Sequence, residues 1–107
     1  MADDVVEFVM AKVKCATAFP NQVEGGSTQI YYDARILGDD FDDLIDAIIE
    51  RFGTEFSAMD ASRYVPGEGA GLRQLPELFG KRPWRSLTID DLVKAIRAGF
   101  WAQPKVW

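Results

Sequence analysis

The chain has 107 residues, enough for a single domain over 1–107 built around one core. Its 12 Lys and Arg against 17 Asp and Glu give a net charge of -5, which disfavours binding to a phosphate backbone and suits a basic partner surface. Histidine is absent and Cys15 is the single cysteine, which excludes an intramolecular disulfide and a zinc site of the usual Cys/His type.

The start, Met1-Ala-Asp-Asp4, is acidic and lacks the basic residues and apolar run of a secretory signal. No run of about 18 apolar residues occurs, so no membrane span is expected and the cytosol is the expected compartment. Residues 3–15 place Val6, Val9, Met10 and Val13 at i, i+3, i+4 and i+7, which predicts a first helix. Asp3, Asp4 and Glu7 fall in or near its first turn, where the helix dipole favours acids. Cys15, among apolar residues at its end, reads as a small core residue, and nothing around it supports a reactive thiol. Residues 18–27 form a loop, marked by Pro20, Gly25 and Gly26. Thr28 to Tyr32 reads as a brief extended segment that docks Ile30 and Tyr32 on the core.

The clearest element runs from Asp39 or Asp40 to Phe52. Phe41, Leu44, Ile45, Ile48, Ile49 and Phe52 make one apolar stripe, and Gly53 stands at the expected stop. Residues 57–71 read as a short turn of helix and a loop with Pro66, Gly67, Gly69 and Gly71. A brief apolar piece follows, with Leu72, Leu75, Leu78 and Phe79, ended by Gly80 and Pro83; Trp84 is expected to fold back onto the core. The last helix begins at Thr88, with Asp91 placed for a capping box. Ile89, Leu92, Val93, Ile96 and Phe100 give its core stripe, Gly99 its stop, and Pro104 bars continuation.

Charge is segregated. Residues 33–60 hold nine acids and two bases, a balance of -7; residues 63–107 hold eight bases and four acids, a balance of +4. An acidic face around the second helix and a milder basic face near the C-terminus are expected, which bears on partners and association rates rather than on fold.

Two stretches resemble acyl carrier proteins. Tyr32-Asp-Ala-Arg-Ile-Leu-Gly-Asp-Asp-Phe-Asp-Asp-Leu-Ile-Asp-Ala-Ile-Ile-Glu-Arg-Phe-Gly-Thr-Glu-Phe56 is similar to their second helix, and Leu87-Thr-Ile-Asp-Asp-Leu-Val-Lys-Ala-Ile96 to their last. With the added loop carrying Ser62-Arg-Tyr-Val-Pro66, then Leu87-Thr88 and Gly99-Phe-Trp101, the chain resembles a bacterial family of small acyl-carrier-like proteins of unknown function over residues 28–102. The resemblance implies an all-α bundle of three main helices plus one or two short ones, with an elaborated loop at about 56–87.

A working carrier holds phosphopantetheine on a serine, in an Asp-Ser-Leu motif at the start of its second helix. Anchoring on Ala47-Ile48 and Phe52 and counting back puts that position at Gly38, with Leu37 where the Asp belongs. Glycine offers no oxygen to esterify. Ser27 and Ser57, the nearest serines, are neither preceded by Asp nor placed at a helix start. The resemblance therefore implies a relative that carries no prosthetic group. In carriers, partner enzymes dock basic patches on the acids of this helix, which would make Asp39, Asp40, Asp42, Asp43, Asp46 and Glu50 the docking face.

Other chemistry finds less support. Asp39, Asp40 and Asp43, or Asp42, Asp43 and Asp46, have the spacing of magnesium-holding aspartates, but such enzymes are larger folds with a second cluster. Acids that stabilise and solvate a helix are the simpler reading, and no metal site is expected. Nucleophilic catalysis lacks a base beside Cys15, Ser27, Ser57, Ser62 or Ser86. Gly25-Gly26 and Gly67-Glu-Gly-Ala-Gly71 are turns, since no Lys-Ser/Thr opens a helix after them. Lys81, Arg82 and Arg85 with Trp84 suit either an anion or base stack or a snorkelling rim around a buried Trp. Trp101 and Trp107 either cover the core or, if exposed, mark a contact patch.

The sequence thus leads to a non-catalytic interaction module without cofactor, monomeric or weakly dimeric, with a protein partner of basic surface. The alternatives are a carrier whose attachment site is displaced, and a small ligand-binding protein or enzyme with a sizeable polar-lined pocket.

Overall fold

Each of the three apolar stripes becomes a helix in the computed structural model, which describes residues 4–65 and 85–102. Helix α1 spans Asp4–Ala16, α2 Gly38–Phe52 and α3 Ile89–Ala98. Short 3-10 turns lie at Pro20–Gln22 and Ala61–Arg63, and no strand occurs among the described residues. None of these helices is long and apolar enough to cross a membrane. The fold is thus mainly helical, as the periodicity predicts.

Helix α1 buries Val9 and Val13, one turn apart, and packs against both α2 and α3. Val6 and Met10 lie half-buried at the margins of that face. Cys15 is exposed, contrary to the core position expected for it. It stands two residues after Val13, which turns it about 200° around the helix, to the solvent side.

Helix α2 starts at Gly38, one or two residues before the expected Asp39 or Asp40. Phe41, Leu44 and Ile48 are buried, Ile45 and Phe52 half-buried, and the Phe52 ring meets Phe8 of α1 edge-on at 5.1 Å. Gly53 closes the helix in a left-handed conformation, φ 68°, its N–H donating to the Ile49 carbonyl. Helix α3 opens on Thr88 with the predicted capping box and closes on Gly99, φ 89°. Ile89, Leu92, Val93 and Ile96 enter the core, but Phe100 is 53% exposed. Gly99 turns the chain between Ile96 and Phe100, so the helical stripe no longer sets where residue 100 points; Trp101 is buried in its stead.

Tertiary hydrogen bonds fix both ends of α3. Ahead of it, Ile30 N–H donates to the Leu87 carbonyl (2.7 Å) and Ile89 N–H to that of Thr28 (3.1 Å). Behind it, Glu55 N–H donates to the Gly99 carbonyl (3.0 Å) and Trp101 N–H to that of Glu55 (2.7 Å).

The segment at 28–32 is not extended as expected. After an isolated bridge between Gln29 and Thr88 the chain turns through residues 30–34. The Gln29 carbonyl accepts from both Asp33 and Ala34, and Asp33 Oδ2 accepts the Gln29 N–H at 2.8 Å. A side-chain carboxylate satisfying its own backbone favours a turn over a ladder. Alternation is lost, so Ile30 and Tyr31 are both buried and Tyr32 is only half-buried.

Of the elaborated loop expected at about 56–87, the described ends hold the Ala61–Arg63 turn and Arg85–Leu87, joined by a bond from Arg85 N–H to the Arg63 carbonyl (2.7 Å). The expectations for Pro66, Gly67 to Gly71, Leu72 to Phe79, Lys81, Arg82 and Trp84, and for Pro104 and Trp107, lie outside the described residues.

Candidate functional site

Gly38 is the first residue of α2, at the head of the acidic helix. Its φ is 57°, in the left-handed region, after a Leu37 in extended conformation. An L-residue there brings its Cβ against the following carbonyl oxygen, at about 1–2 kcal/mol. The site is therefore set against serine twice, by the missing oxygen and by the backbone. Leu37 provides no side-chain cap, and Asp39 and Asp40 in the first turn complement the unpaired N–H groups electrostatically.

Asp39, Asp40, Asp42, Asp43, Asp46 and Glu50 are all exposed. At about 100° per residue, five of them fall within an arc of about 100°, opposite Phe41, Leu44 and Ile48; Asp40 stands about 60° beyond it. Ile49, 40% exposed, borders this arc beside Asp42 and Asp46. The acids fan outward: among the described residues no three His, Cys, Asp or Glu side chains group so as to hold a metal ion.

A second feature was missed in the sequence. A half-open groove of about 520 Å³ runs beside α3. Asp91, Lys94, Ala95 and Ala98 line one side, at i, i+3, i+4 and i+7 of that helix. Arg85 and Ser86 also line it, and Tyr64 and Trp101 contribute aromatic walls, their rings edge-to-face at 5.6 Å. The Trp101 indole is buried, and its Nε1–H finds no acceptor among the described residues. Burial, and next the negative charge of Asp91, push the Tyr64 phenol above its usual pKa. Asp91 and Lys94 with two alanines on the flank of an amphipathic helix were the available signal. It reads as ordinary helix surface until the loop ends bring Tyr64 and Trp101 alongside.

No family model, no curated protein and no solved structure matches the chain.

Proposed function

We propose that the chain is a non-catalytic protein-interaction module, similar to acyl carrier proteins but without their prosthetic group, that docks a basic partner on α2. The observation that carries this reading is the exposure of all six acids on that helix while its opposite face is buried. Three helices around one cluster of buried side chains, with Gly38 at the head of the acidic helix, support an acyl-carrier-like arrangement. In this reading the chain acts in the cytosol as a monomer or weak dimer. Asp39, Asp40, Asp42, Asp43, Asp46 and Glu50 steer the encounter, and Ile49 adds apolar contact beside them. Charge pairing of this kind acts mostly on association rate and weakens with salt.

The test is recovery of partners from the native cell by the wild-type chain and by an Asp42→Lys/Asp46→Lys variant, at low and high salt. Loss of the partner in the variant is the expected result; unchanged recovery overturns the reading. Intact mass after incubation with a phosphopantetheinyl transferase and coenzyme A is expected to be unchanged. A gain equal to one phosphopantetheine arm would instead establish a carrier with a displaced attachment site.

A further inference from the structure

We draw no further inference here: the strongest candidate, the half-open groove beside α3 with the exposed Phe100 among its lining residues, carries nothing, because nothing in the structure shows what covers it.

Discussion

Thr88 and Asp91 cap the start of α3 reciprocally: the Thr88 hydroxyl accepts the Asp91 N–H at 3.2 Å, and the Asp91 carboxylate accepts the Thr88 N–H at 3.0 Å. Two donors that the helix cannot satisfy internally are thereby paired. Thr88 also forms the bridge to Gln29, so the cap holds α3 to the loop that precedes α2.

Removing this cap should be felt globally. Thr88→Ala is expected to lower unfolding free energy by about 1 kcal/mol, with Thr88→Ser close to wild type. Chemical denaturation midpoints at constant slope check both.

Gly38 should resist the substitution that would make the chain resemble a carrier. Gly38→Ser is expected to cost about 1–2 kcal/mol, because any L-residue at φ 57° is strained. Gly38→Asn, which tolerates the left-handed region better, should cost less. If serine proved as stable as glycine in thermal melts, the left-handed start of α2 would be wrong.

Ile48 and Ile49 are chemically identical neighbours with opposite fates, fully buried and 40% exposed. Ile48→Ala is expected to destabilise by about 2–5 kcal/mol, the range for an emptied core site. Ile49→Ala should stay within about 1 kcal/mol yet weaken partner binding, which separates stability from docking in one pair of variants.

Two groups tie stability to pH at opposite ends of the scale. The neutral Tyr64 phenol is favoured by burial, and secondarily by Asp91, so its pKa is raised on folding. That contribution is intact below the unfolded tyrosine value of about 10 and is lost as pH climbs through the higher folded value. An ultraviolet titration should contain a late-ionising component that Tyr64→Phe removes. Glu55 runs the other way. Its carboxylate accepts the Ser57 backbone N–H at 2.9 Å and also bonds the Ser57 side chain, which lowers its pKa. Its small contribution is present above the ordinary carboxylate range and disappears as pH falls through the lowered value. Glu55→Gln should flatten that part of an acid stability profile.

The helices were legible because each writes its burial into a period. Phe41, Leu44 and Ile48, and Leu92, Val93 and Ile96, recur at the spacing that one side of a helix must have, and Thr88, Gly53 and Gly99 mark the ends by local chemistry. The acids of α2 follow from the same periodicity, since residues opposite a buried stripe face water. Cys15 was expected inside, although the helical period itself turns it away from the side of Val13. Where the chain is not periodic, the sequence misled: Tyr32 was expected inside rather than Tyr31, and Phe100 was expected inside and is exposed. In both cases a turn of backbone, or one left-handed residue, reverses which side chain faces the core.

The sequence by itself determined the three helices, the capping box at Thr88, the stops at Gly53 and Gly99, the acidic outer face and the lack of an oxygen at Gly38, because these depend on neighbours within a few residues. Only the tertiary structure decided that Gly38 is left-handed and that Tyr64, Lys94 and Trp101 line one groove. The groove depends on hydrogen bonds between residues far apart in the chain, Arg85 to Arg63 and Trp101 to Glu55, which no local pattern encodes.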